Sequence, residues 1–167
     1  MSLPYFLTDD PAAGVLTGAE AKHAHVKRIA PGERIMLIDG QGSTALTRVT
    51  SVGAGRVDGV VEKLQFVPQP TPRVTVVQAI PKSDRAELAV DLAVQAGADR
   101  IVPWAARRAI AKWDGKEAKA HAKWENAARA AAKQSRRLQI PEVTQLVRSP
   151  QELARVLGCL LYTSDAA

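Results

Sequence analysis

The sequence contains little cysteine and few aromatic residues, and it lacks long apolar runs. Its 167 residues include one cysteine, Cys159, so neither a disulfide within the chain nor a cysteine-based zinc site is expected. No run of about 18 apolar residues occurs, which excludes a membrane-spanning helix. The three histidines, His23, His25 and His121, are too scattered to predict a metal site. The first residues lack the basic start and apolar stretch of a secretory signal, so we expect a cytoplasmic protein.

Positive charge is present, and it is concentrated in one part of the chain. The sequence has 23 Lys and Arg against 17 Asp and Glu, with an isoelectric point near 9.8. Residues 1–70 carry seven basic and seven acidic side chains, whereas residues 71–157 carry sixteen and nine. Such a regional excess is typical of a surface that binds a polyanion. A solvated basic helix gives the same pattern, so charge alone leaves both interpretations open.

The first part of the chain has the pattern of a small β domain. Apolar or alternating runs predict strands at about 4–7, 34–38, 44–50 and 57–61, and one helix at about 18–29. Glycine-containing turns separate the runs, as in a small antiparallel barrel. The three prolines of residues 68–73 then predict a stiff linker.

After the linker, strands alternate with helices. The apolar run 74–80 predicts a strand covered on both faces, and 101–104 predicts a second one. Between them we expect a helix capped by Asp84, with Glu87 completing a capping box. Strand, helix and strand in about thirty residues predict a βαβ unit with parallel strands.

Three more elements are expected between the second strand of this unit and residue 157. An alanine-rich helix is predicted at about 116–137, and a strand at 142–147. Ser149 then has the properties of an N-cap, because Pro150 follows at the first helical position and Glu152 at the third.

Four ordered segments carry a resemblance to a known family: 78–85, 96–103, 107–113 and 133–142. Together with the first part of the chain, they resemble the 16S ribosomal RNA uridine N3-methyltransferases, the RsmE family of the SPOUT superfamily. The resemblance covers residues 1 to about 157.

The resemblance implies an α/β protein with two domains. Residues 1–67 would form a PUA-like small β-barrel that binds RNA, joined by the linker 68–73 to residues 74–157. The latter would be the first part of a SPOUT methyltransferase domain that lacks its trefoil knot. Residues 158–167 do not continue the family pattern, and we expect them to be a foreign read-through tail. The family's Gly-Pro-Glu-Gly-Gly cofactor loop is absent, so no cofactor-binding residue is expected here.

The resemblance also marks side chains for RNA binding. These six are Arg28, Lys82, Arg85, Arg108, Gln134 and Arg137. Arg108 and Arg137 are in addition candidates for stabilising the anion that forms when uracil N3 loses its proton. No catalytic base and no metal ligand are assigned.

Some positions leave alternatives open. Arg107 could take the place of its neighbour Arg108. Arg85 and Arg108 could instead form structural ion pairs with carboxylates, for which the candidates are Asp84, Glu87 and Asp91. Three positions also depart from the family pattern. Lys133 and Gln95 stand where the family has glutamates, and His23 lies one position from the family's histidine.

The resemblance implies a methyltransferase that uses S-adenosylmethionine to methylate N3 of a uridine in 16S rRNA. Its partners would be the small ribosomal subunit and a second copy of the enzyme, with no membrane and no metal. Because the cofactor loop is absent, we expect the chain as written to be inactive. The alternative is a non-catalytic RNA-binding module that uses the barrel and the basic helix.

Overall fold

A computed structural model describes residues 3–158, apart from the side chains of residues 83 and 84. The chain divides into two compact units. The first contains Met1–Arg73 and Arg129–Pro141, and the second contains Val74–Ala128 and Glu142–Ala167. Within the described residues, no helix is long and apolar enough to cross a membrane. The predicted foreign tail lies outside the described residues except for Gly158.

The first unit is built on a five-stranded sheet that curls into a half-barrel. Its elements are β1 (Tyr5–Leu7), a 3-10 helix (Pro11–Ala13), β2 (Val15–Thr17), α1 (Gly18–Val26), β3 (Arg34–Ile38), β4 (Ser43–Val52) and β5 (Arg56–Phe66). The strand order is β1-β3-β4-β5-β2. The core comprises nine buried residues: Phe6, Leu16, Ala21, Ala24, Ile35, Leu37, Ala45, Val49 and Val57.

One pairing differs from the antiparallel barrel expected from the turns. β1 pairs with β3 in parallel, with Tyr5 opposite Met36, while the β3–β4, β4–β5 and β2–β5 pairs are antiparallel. A parallel pair needs a long crossover rather than a tight turn. The chain between β1 and β3 supplies one, because it contains β2 and α1.

The second unit contains the predicted βαβ arrangement. Its elements are β6 (Thr75–Ala79), α2 (Ser83–Gln95), β7 (Arg100–Trp104), the first part of α3 (Glu117–Gln134), β8 (Glu142–Val143) and α4 (Pro150–Leu157). The three strands form a parallel sheet in the order β6-β7-β8. Asp99 accepts a hydrogen bond from the Val74 N–H at 2.9 Å, which fixes the chain just before β6. The division of the chain at residues 67 and 74 stays a prediction, and residues 129–141 pack with the first unit.

Two sequence-based boundaries need correction. α2 begins at Ser83 with Lys82 as its N-cap residue and no side-chain cap, so the predicted capping by Asp84 is wrong. The Arg85 N–H donates to the Lys82 carbonyl at 2.9 Å, so a backbone hydrogen bond closes the first turn. β8 covers only Glu142–Val143, with an isolated bridge from Val147 to Trp104.

The start of α4 confirms the predicted cap. The Ser149 hydroxyl accepts a hydrogen bond from the Glu152 N–H at 3.2 Å, and Pro150 occupies the first turn. The Glu152 carboxylate in turn accepts from the Arg148 N–H at 2.7 Å. These contacts satisfy backbone donors that a helix start otherwise leaves unpaired.

Candidate nucleic-acid interface

The carboxyl edge of the parallel sheet brings three of the predicted RNA-binding residues onto one side of the second unit. Ala79 at the end of β6 lies opposite Trp104 at the end of β7, so the segments that follow both strands leave from the same edge. Lys82 and Arg85 follow β6, and Arg108 follows β7. Open α/β sheets bind ligands at this edge.

Lys82 and Arg85 lie where α2 begins. Both side chains are exposed, and Lys82 occupies the N-cap position with extended backbone. The unpaired N–H groups and the dipole of a helix N-terminus favour negative charge. Two cationic side chains and the helix N-terminus therefore act in the same sense, and this corner of the unit suits an anion.

Arg108 lies in an exposed turn directly after β7. Among the described residues, neither Arg85 nor Arg108 forms an ion pair with a carboxylate. Glu87 lies 4.0 Å from Lys123, and Asp91 accepts a hydrogen bond from Gln95 at 2.8 Å. The third candidate partner, the Asp84 side chain, lies outside the described residues, and the contacts of Glu87 and Asp91 leave both arginines available to a ligand. Arg107 shares the exposed turn with Arg108.

A cavity of about 390 Å³ opens beside this edge, between α2 and α3. Ile80, Pro81 and two buried tryptophans, Trp113 and Trp124, contribute apolar surface to it. Four exposed lysines also line it: Lys112, Lys116, Lys119 and Lys123. None of these lysines was predicted as a site residue. Lys119 and Lys123, four residues apart on α3, had the spacing of one helix side, whereas Lys112 and Lys116 lie in the loop and turn before α3 and had no local signal.

The other predicted residues, Gln134 and Arg137, lie in the segment that packs with the first unit. Gln134 is exposed at the end of α3, and Arg137 is half-buried, its N–H donating to the Ala132 carbonyl at 2.8 Å. Downstream, the Ile140 N–H donates to the Gly40 carbonyl at 2.8 Å. A Cβ at Gly40 would overlap the Ile140 side chain, so glycine permits this close approach.

Upstream of Gln134, Lys133 is the centre of a polar cluster in the first unit. Its ammonium donates to both Glu20 carboxylate oxygens, at 2.6 and 2.7 Å, and to Nδ1 of His23 at 3.0 Å. It also lies 5.9 Å from the centroid of the Phe6 ring. The Lys133 and Glu20 side chains are only 18% and 24% exposed, so their charges interact in a partly desolvated setting. This cluster holds the end of α3 against α1 and β1.

The contact at 3.0 Å favours the neutral ring of His23, because the Lys133 ammonium can only donate and Nδ1 must then accept. Burial lowers the pKa of His23 below its ordinary 6.5, the charges of Lys133 and Lys27 lower it further, and Glu20 acts in the opposite direction. The ring also packs edge-on against Phe6, with centroids 5.7 Å apart. Acidification therefore opposes the arrangement.

Two arginines have left-handed backbone at the ends of helices. Arg28 follows α1 with φ 58°, and Arg136 follows α3 with φ 56°. In each case a backbone N–H reaches back across the turn, from Ile29 to Ala24 and from Arg137 to Ala132. Glycine is the favoured residue in this position, and an exposed arginine there costs stability. Such positions are often functional. Arg28 is one of the six predicted RNA-binding residues, and Arg136 is not. The left-handed backbone of Arg136 could not be predicted, because no local sequence pattern marks it.

The structure thus distributes the six predicted residues over both units. Arg28, Gln134 and Arg137 belong to the first, and Lys82, Arg85 and Arg108 to the second. Among residues 3–158 no group of three His, Cys, Asp or Glu side chains is placed to hold a metal ion.

Two family models match the chain in sequence order. A model described as an RNA methyltransferase PUA domain matches residues 16–62, and one described as an RNA methyltransferase domain matches residues 68–161. The first match lies within the half-barrel unit, and the second begins at the predicted linker.

The chain is also similar in sequence to three ribosomal RNA methyltransferases. The ribosomal RNA small subunit methyltransferases E of Mycobacterium bovis and Mycobacterium tuberculosis are each 44% identical over 152 residues. That alignment covers 90% of this chain and 58% of the relative, so the chain spans less than two thirds of these relatives. The enzyme of the same name from Bacillus subtilis is 29% identical, with 84% of this chain and 56% of the relative covered.

A solved structure has the same fold. It is the ribosomal RNA small subunit methyltransferase E of Neisseria gonorrhoeae bound to S-adenosyl methionine. Its TM-score is 0.77 at 25% identity, and the match covers 88% of this chain and 62% of that one.

Proposed function

The chain belongs to the family of RNA methyltransferases that carry a PUA domain, and from this premise we propose its function. It is the RNA-recognition part of an enzyme that transfers a methyl group from S-adenosylmethionine to N3 of a uridine in 16S rRNA. The observation that carries the proposal is the cationic carboxyl edge of the β6-β7-β8 sheet. There Lys82, Arg85 and Arg108 are exposed without carboxylate partners among the described residues.

Each predicted residue has a chemical role in this proposal. The planar guanidinium groups of Arg28, Arg85 and Arg108 suit bidentate contacts to phosphate, and Lys82 contributes a point charge. The Gln134 amide can donate to and accept from the edge of an unpaired base. Phosphate contacts hold the RNA, and the amide contributes to the choice of base.

Arg108 and Arg137 have a second role. The N3–H of uracil is a weakly acidic imide, and its loss places negative charge on the two neighbouring carbonyl oxygens. A guanidinium near either oxygen stabilises this anion, and the deprotonated nitrogen that attacks the methyl group therefore forms more readily.

The lining of the cavity beside the carboxyl edge does not fit the cofactor. S-adenosylmethionine carries a positive sulfonium centre, and the cavity beside the carboxyl edge is lined by four lysines and one carboxylate, Glu87. Like charges disfavour the sulfonium there. We therefore assign no described residue to the cofactor and propose that the 167-residue chain transfers no methyl group by itself. As part of the same proposal, the active enzyme is a cytoplasmic homodimer that acts on the small ribosomal subunit.

Binding of the whole chain to protein-free 16S rRNA tests the first part of the proposal. We expect affinity that decreases steeply with salt and exceeds the affinity for duplex DNA of equal length. Arg108→Ala should weaken RNA binding more than the matched Arg107→Ala. Failure to bind RNA at low salt would overturn the proposal, and an equal loss in both variants would overturn the assignment to Arg108.

Methylation assays test the remaining parts. With undermethylated small subunits and labelled S-adenosylmethionine, we expect no methyl transfer by the chain alone. Added in excess to the Mycobacterium tuberculosis relative, the chain should inhibit methylation by competing for the same RNA. Transfer by the chain would contradict its inactivity. RNA binding without inhibition would favour a non-catalytic RNA-binding module that recognises another site.

A further inference from the structure

The cavity between α2 and α3 is separate from the six residues assigned above. We propose that it is a subsite for a single nucleotide of the bound RNA, with the base on its apolar floor and the phosphate at its lysine rim. This inference rests on the proposed function and specifies where one nucleotide beside the target would be held.

The floor has the size and surface that a base requires. The cavity volume of about 390 Å³ falls within the range of small-molecule sites, about 300–1,000 Å³. Ile80 and Pro81 follow β6, Ala86 belongs to α2, and Ala120 and Trp124 belong to α3. An isolated phosphate would leave this apolar surface exposed to water, whereas a nucleotide base would cover it.

The rim has the charge that a phosphate requires. Lys112, Lys116 and Lys119 form no ion pair among the described residues. Lys123 is the fourth lysine, and its ammonium lies 4.0 Å from the carboxylate of Glu87, the one acidic side chain that lines the cavity. Two exposed groups at that distance gain little from each other. Positive charge therefore dominates the rim even with Glu87 present.

The local fold holds the floor and the rim in place before any ligand binds. Trp113 and Trp124 pack edge to face, with ring centroids 5.2 Å apart, and they are 6% and 1% exposed. Gly115 has φ 71°, and the Lys116 N–H donates to the Trp113 carbonyl at 2.7 Å. This tight turn directs the chain from the buried tryptophan into α3, so the lysines extend from a rigid base.

Filling the cavity without changing its charge is the decisive test. Ala86→Met and Ala120→Met place a longer side chain in the cavity from two different helices. Each should lower the affinity of the whole chain for 16S rRNA about tenfold, which corresponds to one lost base contact. Ala122→Met, at an exposed position of α3 outside the cavity, is the matched control and should bind as the wild type. Thermal unfolding of all three variants establishes that they are folded.

Charge variants alone would not distinguish a subsite from a diffuse basic face. Lys116→Ala and Lys119→Ala should weaken binding in both cases. If they do so while both cavity-filling variants bind like the wild type, the subsite is overturned and the proposed function stands. If the wild-type chain binds no RNA, the proposed function itself fails.

A direct measurement uses the two cavity tryptophans. Uridine monophosphate should change the tryptophan fluorescence of the wild type saturably, and the change should be lost in Ala120→Met. Inorganic phosphate is the comparison probe. If phosphate competes as well as the nucleotide at equal concentration, the cavity holds an adventitious ion only and the base contact is overturned.

Discussion

The two units use basic side chains in different ways. In the first unit, several cations connect separate elements: Arg34 and Arg48 contact the two oxygens of Glu62 at 2.7 and 2.9 Å, and Lys133 contacts Glu20. The hydrogen bond from Arg34, followed by its charge and the contacts from Arg48, lowers the pKa of Glu62 despite opposing desolvation. In the second unit, Lys112, Lys116 and Lys119 surround a cavity with no ion pair among the described residues.

This difference shows what a count of charges leaves out. Within residues 1–70, three of the seven basic side chains, Arg34, Arg48 and Arg56, form ion pairs. The excess in residues 71–157 includes lysines at the cavity that form no ion pair among the described residues. Sequence composition indicates how much charge is unbalanced. The fold determines which individual cations are available.

The largest expected effect concerns the floor of the cavity, where packing rather than charge is at issue. Trp124→Ala removes a 1% exposed ring that packs against Trp113, and we expect the free energy of unfolding to decrease by about 3–5 kcal/mol. Urea unfolding measures the change. Ile110→Ala, at an 85% exposed side chain in the same unit, should stay within about 0.5 kcal/mol of the wild type. Similar values for the two variants would contradict the packing described for the second unit.

The same substitution in both units tests the comparison directly. Lys133→Glu places a carboxylate against Glu20 and should decrease the free energy of unfolding by about 2–3 kcal/mol, because the pair is partly buried. Lys119→Glu should change it by less than about 0.5 kcal/mol, because this lysine is exposed and unpaired among the described residues, and should instead weaken RNA binding. Urea unfolding and RNA binding are measured on both variants. Adding Glu20→Lys to Lys133→Glu should restore part of the stability, and a double variant no more stable than the single one would argue against the ion pair.

Titration of His23 should change the free energy of unfolding by less than the substitutions of Trp124 and Lys133, and the change should depend on pH. Burial, followed by the charges of Lys133 and Lys27, lowers the pKa of His23 below 6.5 in the folded chain. The unfolded chain therefore takes up the proton first, and stability should decrease as the pH falls through 6.5 towards the folded pKa. Unfolding midpoints between pH 7.5 and 5 measure the slope.

Asparagine provides the matched control, since its side-chain oxygen can accept from Lys133 but does not titrate. His23→Asn should remove this part of the slope. His25→Asn, at an exposed position of the same helix, should retain it. An identical slope in both variants would exclude His23 as the source.

The smallest change in stability is expected at the two left-handed arginines. Arg28→Gly and Arg136→Gly should each raise the free energy of unfolding by about 0.5–1 kcal/mol, because glycine adopts a φ near 57° without strain. Arg28 is one of the six proposed RNA-binding residues, so Arg28→Gly should bind 16S rRNA more weakly although it is more stable. Arg136 is not among the six, so Arg136→Gly should bind as the wild type, and equal affinities in the two variants would overturn the RNA contact of Arg28.

Elements with local signals were predictable from the sequence. The N-cap at Ser149 followed from residues within one turn, and β3 followed from an apolar run bounded by turn residues. β1 was predicted from its apolar run although it has only three residues, whereas the equally short β2 and 3-10 helix lie in a segment that contains no such run. The start of α2 was misplaced because its N-cap position falls on Lys82, which is not a typical capping residue, and Asp84 lies within the helix.

The candidate site was predictable only in part. A resemblance could mark Arg108 and Gln134, but contacts over long sequence distances have no local pattern. Glu20 and Lys133 are separated by 113 positions, so their pairing could not be predicted from one sequence. Of the cavity lysines, Lys119 and Lys123 had the spacing of one side of a helix, and only the packing of Trp113 and Trp124 shows which cavity they line.

The contact between Lys133 and His23 connects two positions at which the chain departs from the family pattern. Each looked like an isolated substitution in the sequence, yet the two side chains meet at 3.0 Å and share Glu20 as a neighbour. Residues in direct contact do not have additive effects. A hybrid protein that takes residues 129–141 from a relative with glutamate at position 133 would therefore need α1 from the same donor. The two segments form one exchangeable unit, although more than a hundred residues separate them along the chain.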